Sequence, residues 1–290
     1  MHNMVLYHKY GRCDNVFVVL RIITPEKSIS KRLRQRKIAK KSALVSHSTE
    51  KSLPFFTLDI LNEKQGINWK NVAEKCGRYS SRIVAPRSVH LPDMSRLRRF
   101  IPQTMSSHLV FNTALETVEK SRVEPTNLCI TAIDRGAVYF SKICDLLPLA
   151  SCVRVITDHP ERYASACIKA FEEYGASLII RSSYEAVTMP EIIISSDGAV
   201  SQKMKDAVIF SPKRKSCGKL VVFGSGVRLS ENHLSVIGNG IDSVDFAGAL
   251  TELCGCSEYR NSVFEKTETT CGECDGSSAE KCLLCRLSVK

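Results

Sequence analysis

One tryptophan in 290 residues, and no apolar run long enough to cross a bilayer, set the first limits on this sequence. The longest strongly apolar stretch near the start, 16–23, spans eight residues and contains Arg21. It is too short for a membrane span or for the core of a signal peptide, so a chain without a membrane span and a cytoplasmic location are expected. Glycine and proline, at 15 and 10, are ordinary, and long heptads are missing, which excludes collagen-like, mucin-like and coiled-coil classes. There is no Gly-x-Ser-x-Gly elbow, Walker loop or His-Glu-x-x-His, so no nucleophile, base and orienting acid can be assigned and no catalytic residue is named. Acidic residues are scarce in the first third. Residues 1–100 carry 21 Lys and Arg against 7 Asp and Glu, a balance of +14, whereas 101–290 carry 20 against 23, a balance of −3.

What is present points to a folded α/β protein. An apolar content of 43% over this length can bury a substantial core and suits about two domains. The positive excess is densest at Lys31, Arg32, Arg34, Arg36, Lys37, Lys40 and Lys41, seven basic residues in eleven positions. Such a run can neutralise nucleic-acid phosphates, or it can be a solvated face that keeps the chain soluble. No aromatic residue is interleaved in it for base stacking.

Thirteen cysteines without a secretory signal indicate thiols or metal ligands rather than a disulfide framework. Cys129, Cys144, Cys152 and Cys167 lie among apolar residues and read as small packing groups. Cys271, Cys274, Cys282 and Cys285 form two Cys-x-x-Cys pairs seven residues apart in a polar tail, a set that can supply a tetrahedral zinc shell. The gap is shorter than that of the usual zinc ribbon, and a tail with incidental or redox-active thiols is the alternative.

The N-terminal third has strand-like runs at 16–23, 43–45 and 54–60, read as a twisted antiparallel hairpin or small sheet. Asn68 caps a helix whose Trp69, Val72, Ala73 and Cys76 share a face, and Gly77 ends it. After a short strand at 82–86 comes a Pro-punctuated loop with Arg96, Arg98 and Arg99. From about residue 104 the pattern becomes regular. A helix carrying Phe111, Ala114, Leu115 and Val118 precedes an apolar strand at 128–133, and Phe140, Ile143, Cys144 and Leu147 then repeat at helical spacing up to Pro148. A strand at 153–157 leads to Asp158, Pro160 and Glu161, an acidic capping box that opens a helix with Ala164, Cys167, Ile168 and Phe171 on its buried face. Strands follow at 177–180, 191–195, 207–210 and 220–223. A last helix at 245–253 is expected to pack back on this core. Strands that are apolar on both faces and alternate with helices predict a parallel sheet covered by helices.

The segments LCITAIDRGAVYFSKICDLLP, VRVITDHPERYASACIKAFEEYGASLII, EIIISSDG and KLVVFGSG, spanning 128–226, resemble the cofactor domain of shikimate-dehydrogenase-like enzymes within the Rossmann superfamily. The resemblance implies a doubly wound, mostly parallel sheet and a dinucleotide cofactor. In that family a Gly-rich turn after the first strand lets the backbone approach a pyrophosphate. Here the turn Asp134-Arg135-Gly136-Ala137-Val138-Tyr139 has one glycine, and Asp134 brings a carboxylate to the phosphate position. Asp158 stands 22 residues after Gly136, where the family places an acidic residue on the adenine ribose, and it also reads as an N-cap. Gly224 and Gly226 follow the last strand as backbone donors or as a strand-ending turn.

The expectation is therefore a cytosolic protein with a basic, β-rich N-terminal region at 1–100, a Rossmann-like α/β core at 101–256 and a Cys-rich tail at 257–290. Asp134, Asp158, His159, Asp197 and Ser225 fall at the carboxyl ends of parallel strands, the edge where open α/β sheets bind ligands. With Gly136, Gly224 and Gly226 they outline a degenerate crevice for a nucleotide or small molecule. The missing glycines argue against NAD(P) and against an active dehydrogenase, while zinc is the candidate metal. The alternative is a nucleic-acid-associated or scaffold protein that uses the basic run and a zinc knuckle.

Overall fold

A computed structural model describes residues 16–24, 42–48, 54–62, 66–93, 95–186, 191–199, 201–214 and 220–270, together with 28, 30, 31, 33, 35, 281, 283 and 287. The chain is a mixed α/β protein in two compact units, one of 1–103 with 229–259 and one of 104–228 with 260–290. Among the described residues no helix is long and apolar enough to cross a membrane.

In the first unit, β1 (Val18–Ile23), β2 (Val45–His47), β3 (Phe55–Leu61) and β4 (Ile83–Val84) form a sheet in the order β2-β3-β1-β4. Of the antiparallel hairpin or small sheet expected for this region, the small sheet is present, but mostly parallel: β1 runs parallel to both β3 and β4, and β2 alone is antiparallel. The reason is legible afterwards in Val16 to Leu20, all buried, because a strand covered on both faces suits a parallel pair. Val16, Val18 and Leu20 pack with Phe56, Leu58 and Ile60. Helix α1 (Trp69–Cys76) adds Val72 and Cys76 to that cluster, and Asn68 caps α1 as expected by accepting from the Asn71 N–H. Phe17, just before β1 and absent from that cluster, stacks on Phe55 with ring centroids 5.4 Å apart.

On Phe17 and Phe55 sits Phe246, edge-on, at 5.9 and 5.4 Å. Periodicity assigns 245–253 to the α/β core that precedes it, yet this ring cluster ties it to the first unit. The segment holds α4 (Glu231–Ile237) and α5 (Ser243–Glu252), the latter capped by Asp242. The Arg21 guanidinium joins the two chain segments, bonding its register partner Asp59 at 2.6 and 2.9 Å and the Val236 carbonyl at 3.1 Å.

The second unit contains a seven-stranded sheet of β5 (Cys129–Ile133), β6 (Cys152–Ile156), β7 (Leu178–Arg181), β8 (Glu191–Ser195), β9 (Val208–Phe210), β10 (Leu220–Ser225) and β11 (Lys266–Thr269). Their order is β11-β10-β9-β8-β5-β6-β7, parallel throughout except for β11. Helix α2 (Met105–Ser121) buries Leu109, Val110, Phe111, Ala114 and Val118.

Two helix expectations change. The stretch 143–149 is a 3-10 segment with Pro148 inside it, because a proline lacks the N–H and clashes with the carbonyl four residues back. Helix α3 (Ala164–Tyr174) buries Ala166 and Ala170, whereas Ile168 and Phe171 are 58% and 72% exposed, the opposite of the assigned stripe. A 3-10 turn at 160–163 begins at His159 rather than Asp158, so the acidic capping box does not form.

Candidate functional site at the strand carboxyl edge

The carboxyl ends of β5, β6, β8 and β10 carry the residues singled out from the sequence. Asp134 leaves β5 fully buried. Its carboxylate accepts the Val138 N–H at 2.9 Å, the Tyr139 N–H at 2.6 Å and the Tyr163 hydroxyl at 2.5 Å. Burial, followed by the Asp134 charge, pushes the Tyr163 phenol far up, which keeps it a donor.

Glycine is not what shapes this turn. A Cβ on Gly136 would meet only a Val138 methyl at 3.8 Å, while Ala137, with φ of 52°, holds the left-handed conformation. That backbone costs about 1 kcal/mol for alanine and is held by the two N–H bonds that follow it.

Around the turn the exposed residues pair with one another. Arg135 stands 3.7 Å from Asp158, His159 3.3 Å from Glu161, and Arg162 donates to the Gly136 carbonyl at 3.3 Å. The Thr157 hydroxyl accepts the His159 N–H at 3.1 Å, so Thr157 rather than Asp158 turns the chain after β6. At the end of β8, Asp197 accepts the Ala199 N–H at 2.8 Å and the Ser195 hydroxyl at 3.3 Å. Ser225, the last residue of β10, is exposed.

Gly224 and Gly226 have structural work of their own. A Cβ on Gly224 would lie 2.3 Å from the Phe264 ring, and Gly226, at φ of 72°, accepts the Glu265 N–H at 3.1 Å. Both hold the chain that returns as β11. Neither Phe264 nor β11 is anticipated by the sequence, since the one signal is a glycine pair that reads equally well as a turn.

A second buried group lies at the opposite strand ends, and sequence inspection misses it. The Glu191 carboxylate accepts the Thr131 hydroxyl at 2.5 Å and the Tyr184 hydroxyl at 2.6 Å, with the Arg154 guanidinium at 3.6 Å. Cys129 and Cys152 are register partners beside it, and burial first, then the neighbouring Cys152 thiol, pushes the Cys129 thiol up to about 12. A thiol held protonated in this way is a packing group, as expected.

Of the basic run, Lys31 is exposed, and Arg32, Arg34, Arg36, Lys37, Lys40 and Lys41 lie outside the described residues. So do Cys271, Cys274, Cys282 and Cys285. Among the described residues no group of three or more His, Cys, Asp or Glu is placed to hold a metal. No protein-family model matches the chain, and a search of curated proteins finds no match either.

Proposed function

We propose that the chain is a Rossmann-like ligand-binding protein in which the dinucleotide phosphate site is filled by the protein's own Asp134 carboxylate. The strand order of the second unit supports the fold reading. Taken from β5, it runs third, second, first, fourth, fifth, sixth, with β5 and β8 side by side where the order reverses. A crevice outside the carboxyl ends at that point would be rimmed by exposed Arg135, Asp158 and Asp197, which suits a small polar molecule or nucleoside without a pyrophosphate.

The observation that carries the reading is the pair of bonds from the Val138 and Tyr139 N–H groups to Asp134. A phosphate would have to displace a buried carboxylate and abut its negative charge, so tight NAD(P) binding and hydride transfer are not expected. A cytoplasmic location belongs to the same proposal, because Cys76, Cys129, Cys144, Cys152, Cys167 and Cys256 are unbridged thiols.

Calorimetric titration tests it. No saturable heat is expected with NAD or NADP at millimolar concentration. A nucleoside or small polar ligand found by thermal shift should lose its effect on Asp197→Ala or Arg135→Ala. Saturable dinucleotide binding with turnover of a hydroxy substrate would replace this reading with that of an active oxidoreductase.

The second reading, a nucleic-acid-associated protein, draws on the +14 balance of residues 1–100 and on exposed Lys31 and Arg96. Its mark is salt. Oligonucleotide affinity should fall steeply between 50 and 200 mM salt if several phosphates are neutralised, by about a thousandfold for six contacts.

A further inference from the structure

The geometry points to a binding site for a small oxyanion in the first unit, in a cavity of about 370 Å³ lined by Arg87, Ser88, His90, Asp93, Arg98 and Arg99 among others. The cavity lies within the loop that leaves β4. Its return, 98–100, is fixed on the sheet edge: the Ile83 N–H donates to the Arg98 carbonyl at 2.9 Å and the Phe100 N–H to the Ile83 carbonyl at 2.8 Å. Arg98 and Arg99 therefore project from a clamped backbone rather than from a free loop.

Both guanidiniums are oriented by neutral acceptors. Arg99 uses Nη1 on the Ala85 carbonyl and Nη2 on the Pro86 and Val89 carbonyls at 3.0 and 2.7 Å. Arg98 uses Nη1 on the Ser95 and Leu97 carbonyls at 2.7 and 2.9 Å, with the Asp93 carbonyl at 3.5 Å. Carbonyl oxygens hold a guanidinium in place without cancelling its charge. Among the described residues, the Arg98 Nε and Nη2 and the Arg99 Nε have no bonding partner. Arg87 differs, because Asp242 and Asp245 stand 3.1 and 3.2 Å from it and take up its charge.

The lining thus keeps two fixed, uncompensated guanidiniums against one carboxylate, that of Asp93, with the Ser88 hydroxyl and the His90 ring as further polar groups. Forked N–H donors held in advance match phosphate and carboxylate oxygens. The volume exceeds that of a bare phosphate and falls in the range of small-ligand pockets, so the occupant is an organic molecule bearing a phosphate or carboxylate. Among the described residues no Phe, Tyr or Trp lines the cavity to stack a base, which favours a small anion over a nucleic acid.

Inorganic phosphate is the probe, titrated against chloride at matched ionic strength and followed by melting temperature and by phosphorus NMR line width. Phosphate at tens of millimolar should raise the melting temperature by on the order of 2 °C more than chloride and broaden the phosphorus signal. Acetate in parallel distinguishes a carboxylate preference from a phosphate one. Arg98→Gln should weaken the phosphate effect at least tenfold, and Arg96→Gln, an exposed arginine outside the lining, should leave it intact. Equal responses of the unaltered protein to phosphate, acetate and chloride would overturn the proposal, whatever Arg98→Gln does to the loop. So would an equal loss in Arg96→Gln, which signals diffuse surface charge, or oligonucleotide binding with which phosphate does not compete.

Discussion

The two units both centre on parallel strands, and they treat the charges at the strand ends in opposite ways. In the second unit the carboxylates at the ends of β5 and β8 are turned inward: Asp134 satisfies two backbone N–H groups and a tyrosine, and Glu191 satisfies two hydroxyls beside Arg154. In the first unit the Arg98 and Arg99 guanidiniums beyond β4 are held by backbone carbonyls, and their charge remains available. Asp134 and Glu191 are thus already used by the fold, while Arg98 and Arg99 keep a charge that a ligand could meet. Charge in a sequence says where an ion is, and only the partner says whether it is spent.

The largest test of the contrast is Asp134→Ala. It strands two backbone donors and the Tyr163 hydroxyl in a buried place, so stability should fall by about 3–5 kcal/mol in urea unfolding followed by circular dichroism. Asp134→Asn keeps one acceptor oxygen and should cost less. A loss under about 1 kcal/mol for Asp134→Ala would mean that the turn reorganises and that its amides are open to a ligand after all. The matching change in the first unit, Arg99→Ala, removes three carbonyl contacts at a part-exposed site where water can replace the donors. It should cost about 1.5–3 kcal/mol, read through Trp69, the single tryptophan.

Gly224→Ala asks whether the glycine serves Phe264 or a ligand. The added Cβ would sit 2.3 Å from the ring, so a loss of about 1–3 kcal/mol is expected. Combining it with Phe264→Ala should give less than the sum of the two single losses, as residues in contact do. Additive losses would remove Phe264 as the explanation. Gly136→Ala, by contrast, brings the new Cβ only to ordinary van der Waals distance of a Val138 methyl and should change stability by under about 0.5 kcal/mol.

Mild acid should loosen the first unit. Burial lowers the His233 pKa, opposed in part by Glu258, and burial followed by the Arg21 charge lowers that of His47. For a histidine depressed on folding, the unfolded chain binds more protons below about pH 6.5. The contribution of each is therefore complete above that pH and is lost as pH falls toward the folded value. His233 accepts or donates at 2.6 Å to the Tyr259 hydroxyl and packs between the Phe55 and Phe246 rings, so protonation puts a charge into the aromatic cluster. The urea midpoint read by Trp69 should drop between pH 7.5 and 5.5, and His47→Gln with His233→Gln should flatten that slope.

The parts of the fold that were readable are those set by local pattern. Cys129–Ile133 is a short, mostly apolar run and Glu191–Ser195 holds three consecutive isoleucines, patterns that suit a doubly covered strand, and Asn68 with Gly77 brackets α1 by capping chemistry. What the pattern could not give were choices between distant partners. Phe246 finds Phe17 and Phe55 across more than 180 residues, and nothing near Phe246 encodes that. At the candidate site, the sequence places Asp134 in the turn after β5, but what its carboxylate does depends on Tyr163, 29 residues away. Asp158 failed as a cap because the 3-10 turn at 160–163 starts one residue later, with His159 in the cap position.

Helix α3 sets the smallest effect and separates the two kinds of reading most cleanly. Its spacing of Ala164, Cys167, Ile168 and Phe171 predicts a buried stripe, for which Phe171→Ala would cost about 3–5 kcal/mol. The structure buries Ala166 and Ala170 instead and leaves Phe171 72% exposed. On that geometry Phe171→Ala should shift stability by about 0.5 kcal/mol or less, measured by urea unfolding at a protein concentration low enough to keep the chain monomeric. Small alanines facing the sheet let the helix lie close, and the larger residues then have no room beneath it. A loss in the core range would show that the apolar stripe is covered, and the inward role assigned to Ala166 and Ala170 would have to be given up.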